Sequence, residues 1–286
     1  MADTDIQRPR VAVIVPCYND GSTLPQTLGS IDEPEEIEVV VVDDGSTDDA
    51  TLAVLAKLEA DGVRVIHQVN KGLPEARNAG LAATSAPYVF PLDSDDMAVS
   101  GSLSKMADVL DAHPDAAASY GDWIEFGDGG EREKTVPRQF DPYMVAFRNR
   151  YPVASLFRRT TLEKTGGWHK VGDHVGYEDW NLWMSIAENH EPVIFAEGVF
   201  AIRYRIHGVR MLVQATSNHA ALYETMKRNH PKLFAELPEL RKDSSLSPIE
   251  RMLYPHIFGA RRPRGIKRRI RALRAKAESA RARPTS

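Results

Sequence analysis

Glu38-Val39-Val40-Val41-Val42-Asp43-Asp44-Gly45-Ser46-Thr47-Asp48 is the stretch on which the fold turns. Four consecutive valines are stiff at χ1 and favour extended backbone over helix. They show no apolar–polar alternation, so both faces of the strand must be covered, as in a parallel sheet. The run then breaks at once into acids, glycine and hydroxyl residues, which suit a turn and a helix cap.

The same unit repeats on either side. Upstream, Val11–Val15 is a short apolar strand that stops at Pro16, and Thr23–Ile31 can form a helix, with Ser22 or Thr23 as cap and Pro25 in its first turn. Downstream, the pattern predicts a helix over Asp48–Ala60, a strand over Val63–Gln68 and a helix over Pro74–Ala83. A strand over Tyr88–Leu92 then runs into Asp93-Ser94-Asp95-Asp96, and a helix over Ser102–Ala112 ends before Pro114. Strands separated by helices of this length imply right-handed crossovers and a parallel sheet covered on both faces. Ligands of such sheets bind beyond the carboxyl ends of the strands. The polar clusters Cys17–Asn19, Asp43–Asp48 and Asp93–Asp96 all fall there. The second half is less regular: a strand over Ala116–Phe126, a hairpin turn over Gly127–Gly130, a strand over Val153–Arg158, a helix over Asp179–Asn189 and extended chain over Val193–Tyr204. Charge and proline rise after Leu237, placing the end of the packed domain between Asn229 and Leu240.

The bulk composition agrees with one large domain. The chain has 286 residues, 42% of them apolar, which is enough for a full core. Its one cysteine, Cys17, excludes an intrachain disulfide framework and fits a reducing compartment. Met1–Arg10 is polar and charged, and no run approaches the roughly 18 apolar residues of a membrane span, so the expectation is a cytosolic protein. The formal charge of -4 hides an asymmetry. Arg261–Arg283 carries eleven Lys/Arg against the single acid Glu278, a local +10 that leaves -14 on the rest.

Asp93-Ser94-Asp95 places two carboxylates at i and i+2 in a turn after a strand, where both can face one hard cation. Cleaving a nucleotide diphosphate sugar leaves a diphosphate with added negative charge, and Mg²⁺ or Mn²⁺ stabilises such charge. Asp-x-Asp alone is also a common solvated turn. Here it comes fourth in an ordered set: Val-Pro-Cys-Tyr-Asn (15–19), Val-Asp-Asp-Gly-Ser-Thr-Asp (42–48), Asn-Lys-Gly-Leu-Pro-Glu-Ala-Arg-Asn-Ala-Gly (70–80), then Asp93–Asp95.

This set closely resembles the inverting GT-A glycosyltransferases of family 2, over roughly Pro9 to Gly208. The resemblance implies an α/β GT-A fold, with a Rossmann-like, mostly parallel central sheet flanked by helices. The domain would occupy residues 1–236, and 237–286 would form a helical, basic C-terminal extension. It implies transfer of a sugar from a nucleotide diphosphate donor, UDP-sugar by default, to an acceptor hydroxyl with inversion, using Mn²⁺ or Mg²⁺.

On matching positions, Pro16 and Tyr18 would line the base pocket, and Asp44 would accept a hydrogen bond from the base. Lys71 and Arg77 would lie near base and diphosphate. Asp93 would contact the ribose, with Ser94 in the same donor-binding stretch, and Asp95 would be the main metal ligand. Asp43, Asp48 and Asp96 read equally well as turn and cap residues. Gly-Tyr-Glu-Asp-Trp-Asn-Leu-Trp (176–183) resembles the family segment that supplies the general base. Asp179 would take that role, with Glu178 beside it in the acceptor pocket; both also suit a helix N-terminus. Trp180 and Trp183 share a helix face, as core residues do. Trp168 is a candidate acceptor contact. His207 matches a family position on the metal or diphosphate. Arg203, Arg205 and Arg210 could neutralise the diphosphate, and Gly208–Ala215 could form a lid.

Ile266, Ile270, Leu273 and Ala277 recur at helical spacing in the basic tail, making a basic amphipathic segment. Peripheral membrane contact near a lipid-linked acceptor, docking on the acidic body or on a second subunit in a homodimer, and a solvated terminus all stay open. Nucleic acid is not expected, since no aromatic residue interrupts the basic run to stack on bases. The acceptor could be a carbohydrate, a lipid-linked molecule or a small molecule. Two other functions compete. A nucleotidyltransferase should carry a Gly-rich basic loop after strand one, and Cys17–Thr23 has one glycine and no basic residue. A non-catalytic nucleotide-sugar binding module would have little use for Asp93, Asp95, Asp179 and His207 together.

Overall fold

The computed structural model describes residues 8–127, 129–173, 176–206 and 218–260. Its centre is a nine-stranded mixed sheet with helices on both faces. The first half alternates as β1 Val11–Cys17, α1 Leu24–Gly29, β2 Ile37–Asp43, α2 Asp49–Ala60, β3 Val65–His67, α3 Leu73–Ala83 and β4 Tyr88–Pro91. These four strands pair in parallel in the order β3-β2-β1-β4, the valine run lying one strand in from the edge.

The second half adds β5 Met97–Ala98, α4 Ser102–Ala112, β6 Ala118–Gly127, β7 Arg132–Lys134, α5 Pro142–Val145, β8 Leu156–Arg158, α6 Arg159–Thr165, α7 Glu178–Glu188 and β9 Val193–Ile206. Beyond β4 the order continues β8-β6-β9-β5. Here β8 runs antiparallel to β4 and β6, while β6 and β9 are parallel with register shifts near Asp122. The parallel arrangement read from the sequence therefore covers the first four strands, and the second half is mixed. Four helices follow: α8 His219–Asn229, α9 Pro231–Ala235, α10 Leu237–Asp243 and α11 Pro248–Phe258.

Strand periodicity sorts side chains between two cores. Along β1, Val11, Val13 and Val15 face a cluster with Leu24, Leu55, Leu103 and Met106, while Ile14 faces the opposite cluster with Ala76, Trp168, Trp180 and Trp183. In β2, Val41 joins the first cluster and Val40 and Val42 the second. This is why the valine run shows no alternation: both of its faces are buried. The segment after residue 237 also contributes to the second cluster, through buried Tyr254 and the packed side chains of Leu240, Leu246 and Phe258.

Helix α3 approaches β1 at Gly80, where an added Cβ would meet Ile14 Cγ2 at 2.3 Å. Gly80→Val should therefore destabilise the fold by ~1–3 kcal/mol through overpacking. Urea denaturation would show this as a lower midpoint with unchanged slope.

Candidate active site

The rim at the carboxyl ends of β1, β2 and β4 is built from interlocked turns. Asn19, at φ 52, accepts hydrogen bonds from the Thr47 and Asp48 backbone N–H groups at 2.8 and 3.0 Å, tying the turn after β1 to the turn after β2. Asp48 caps α2 by accepting from Thr51 N at 2.8 Å. Burial pushes the Asp43 carboxyl up, but bonds from Ser46 and His67 outweigh it and hold the group below its ordinary range. Asp43 and Asp48 thus do the turn and capping work that their positions allowed.

Asp44 is buried and accepts three hydrogen bonds: from Gln68 Nε2 at 2.7 Å, Lys71 N at 2.8 Å and Gly72 N at 2.7 Å. Its carboxylate organises the 68–72 loop in front of α3. Lys71 presents an exposed side chain at this edge, and the Tyr18 ring, directly after β1, is half exposed. Pro16, expected to line the base pocket, is instead buried within β1 and paired with Val42.

The turn after β4 is fixed from three sides. Ser94 O accepts from Thr23 Oγ1 and Thr27 Oγ1, Asp96 N donates to Asp93 O, and Asp96 Oδ1 accepts from Arg205 N at 2.8 Å. Arg205 also donates through Nε to Asp95 O at 2.7 Å and to Gln26. Arg205, expected to face diphosphate, therefore shapes the acidic turn, and Arg203 pairs with Glu131. Burial, then Asp93 and Asp95, pushes the Asp96 carboxyl well above the usual range. Asp95 is half-buried. Such crowding of negative charge and hard oxygen donors fits a divalent cation of the Mg²⁺ or Mn²⁺ kind. Among the described residues no three acid or imidazole side chains form a complete metal cage, so an ion held at Asp95 would fill its shell with oxygens from a bound ligand. His207, Arg210 and the 208–215 loop lie outside the described residues.

Helix α7 brings the second carboxylate pair to this turn. Arg77, on the inner face of α3, is 1% exposed and reaches both segments: Nη2 donates to Asp93 Oδ1 at 2.7 Å and Nη1 to Glu178 Oε1 at 3.0 Å. Burial works against its charge, yet Asp93 and Glu178 outweigh that cost and hold the guanidinium firmly protonated. The sequence reading set Arg77 against base and diphosphate. A guanidinium this enclosed cannot meet a ligand face on; it fastens the turn after β4 to the start of α7.

Asp179 follows in the first turn of α7, where the helix dipole favours a carboxylate. Its Oδ1 accepts from Trp180 N at 2.7 Å and its Oδ2 from Asn149 Nδ2 at 2.8 Å. Asn149 Oδ1 is in turn held by Tyr151 N at 2.9 Å, which fixes the amide with its NH₂ towards Asp179. Burial, followed by the charge of Glu178, pushes the Asp179 carboxyl up to about 7, while Trp180 N and Arg77 pull it down. A half-buried carboxyl poised near neutral pH is suited to accept a proton.

Arg77 ties Asp93 to Glu178, and Ser94, Asp95 and Asp179 are the chain neighbours of that pair. Asp44, Lys71 and Tyr18 stand along the rim on the β1–β2 side. Trp168, expected to contact the acceptor, is instead fully buried in the second core, clamped at both backbone groups by Asn78. Trp180 and Trp183 are core residues too. Asn149 was missed; Arg-Asn-Arg (148–150) carries no periodicity or motif that marks it.

The sequence profile described as "Glycosyl transferase family 2" matches residues 12–173, more than half of the chain. Glycosyltransferase GlyG of Streptococcus pneumoniae is 38% identical over 91 residues, 30% of each protein. The GalNAc(5)-diNAcBac-PP-undecaprenol beta-1,3-glucosyltransferase of Campylobacter jejuni is 29% identical over 214 residues, 69% of this chain and 65% of that enzyme. The chain thus spans under two thirds of the length of both relatives. In fold it is similar to residues 1–349 of S. aureus TarS in complex with UDP-GlcNAc, with a TM-score of 0.63 at 19% identity, over 87% of this chain and 73% of that one.

Proposed function

The chain belongs to glycosyl transferase family 2, and from that membership we propose that it transfers a sugar from a UDP-sugar to an acceptor hydroxyl with inversion. The observation that carries this reading is the Arg77 bridge, which ties the acidic turn after β4 to the carboxylates that open α7. A donor diphosphate at the first and an acceptor hydroxyl at the second then meet in one cleft.

The positions of the rim residues support the following roles. Tyr18 offers a ring face to the nucleobase, and the loop ordered by Asp44 closes the other side. Lys71 brings an ammonium towards the diphosphate, and Asp93 and Ser94 border the ribose and sugar. Asp95, with His207, would hold Mn²⁺ or Mg²⁺. When bound, that cation neutralises charge on the departing diphosphate. As the acceptor oxygen attacks the anomeric carbon, Asp179 takes its proton, and the carbon–oxygen bond to the diphosphate breaks with its electron pair leaving on the diphosphate. Asn149 and Trp180 N hold Asp179 in line throughout, and Glu178 flanks the acceptor. The Campylobacter relative's name specifies a polyprenol-diphosphate-linked saccharide, and a lipid-linked saccharide is our preferred acceptor here as well.

Metal removal tests the donor half. Transfer measured after chelation should fall on the order of 10²-fold or more, since the cation supplies several kcal/mol of transition-state stabilisation. Added Mn²⁺ should restore the wild type but not Asp95→Ala. Full transfer by chelated enzyme would exclude this assignment. A thermal-shift panel of UDP-, GDP- and dTDP-sugars with Mn²⁺ would identify the donor, and the anomeric configuration of the product would decide inversion.

A further inference from the structure

Helix α11 has two unlike faces. Inward, Tyr254 is buried among Tyr143 and Phe147, and Phe258 packs on Tyr254 at 4.6 Å with the Arg148 guanidinium 4.7 Å over its ring. Tyr143 Oη donates to Arg251 O at 2.6 Å, and the Arg251 guanidinium donates to the carbonyls of Lys242 and Leu246. The helix is therefore anchored to the body. Outward, Ile249, Met252 and Leu253 are 68%, 53% and 39% exposed, with exposed His256 completing the stripe at i, i+3, i+4 and i+7. Half of the large apolar side chains exposed among the described residues lie on this one face. The sequence that follows it, 261–283, carries eleven Lys/Arg against one acid.

We propose that the outer face of α11 docks on an anionic lipid surface. Ile249, Met252 and Leu253 enter the boundary between headgroups and acyl chains, and the eleven Lys/Arg that the sequence carries at 261–283, outside the described residues, select anionic over neutral lipid by charge. A second copy of the chain fits less well. A second copy carries the same +10 charge in its residues 261–283, which opposes pairing of like segments. The acidic body of another copy supplies charge, but its remaining exposed apolar residues, Tyr18, Leu52 and Val69, belong to three separate segments. Arg148, which covers Phe258, precedes Asn149, which holds Asp179, so α11 is linked to the candidate base through adjacent residues. Resting on the reading under Proposed function, docking holds the enzyme at the surface that carries lipid-linked acceptors.

The test is co-sedimentation of the full chain with phosphatidylcholine vesicles, with and without phosphatidylglycerol. The wild type should partition at least about tenfold more strongly to the anionic vesicles. The triple variant Ile249→Ser, Met252→Ser, Leu253→Ser should lose about tenfold or more of that partition, with unchanged thermal unfolding. A variant that sediments like the wild type, or a wild type that ignores anionic vesicles, would overturn the proposal. So would light scattering that shows a wild-type dimer and a monomeric variant, because the face would then be a protein contact. Donor hydrolysis in solution, measured on the same samples, reports the enzyme reading separately: its absence leaves vesicle binding standing, and the reverse holds too.

Discussion

Arg77→Met should cost ~3–5 kcal/mol of folding stability, the usual penalty for removing one partner of a buried ion pair. Methionine matches much of the arginine stem but leaves Glu178 and Asp93 facing each other without a countercharge. Asp93 keeps 31% of its side chain exposed and can be rehydrated, which places the expected loss in the lower part of that range. Glu178 is 10% exposed and cannot. Adding Glu178→Gln to the variant should therefore return part of the stability, a non-additivity that a double-mutant cycle in urea would read directly. Arg77→Lys keeps one positive charge but cannot fork to two carboxylates, and it should fall between wild type and Arg77→Met. Because the charge of Arg77 also pulls the Asp179 carboxyl down, Arg77→Met should need a higher pH to reach its full activity, whereas Arg77→Lys should keep most of the wild-type profile.

Asp179→Asn should lower kcat by ~10²–10⁴-fold, the typical contribution of a general base, with little change in donor affinity. The asparagine keeps the bond from Trp180 N but turns an amide towards the fixed amide of Asn149. Asp179→Ala is the control for that local clash and should be equally inactive. The pH dependence carries the sign of the argument. A base works deprotonated, and Asp179 sits at about 7, so kcat/KM in the wild type should rise with pH and level off above that value. Both variants should lose this acid limb in whatever residual activity remains. An acid limb that survives Asp179→Ala would place the base elsewhere.

The first half of the fold was open to reading because buried parallel strands leave uninterrupted apolar runs, and the turns after them end in acids and glycine. The run at 39–42 is found one strand in from the edge, with its side chains shared between the cores on the two faces of the sheet. Boundaries moved by a residue or two: α1 is Leu24–Gly29 rather than Thr23–Ile31, and α7 starts at Glu178 rather than Asp179. Two-residue β5 and four-residue α5 are too short to impose any period on the sequence.

The candidate site divides in the same manner. Acids that follow strands could be placed from the sequence, since the sheet itself delivers them to one rim. Arg77 was placed on the right helix but set near base and diphosphate by the resemblance, whereas its helix phase with buried Pro74 and Gly80 points it inward. Trp168 was set towards the acceptor although Asn78, ninety residues earlier in the chain, locks it into the core. Such long-range polar pairs leave no trace in local composition, and Asn149 escaped notice for that reason.

The central claim is that one cation site at the turn after β4 and one base at the start of α7 serve a single cleft. Crystals grown with Mn²⁺ and UDP would test it through the anomalous signal of the metal. The account predicts one peak at about 2–2.3 Å from an Asp95 carboxylate oxygen, with the diphosphate beside it and Asp179 lining the same cavity. A metal peak remote from Asp95, or a diphosphate whose cavity does not reach Asp179, would contradict it.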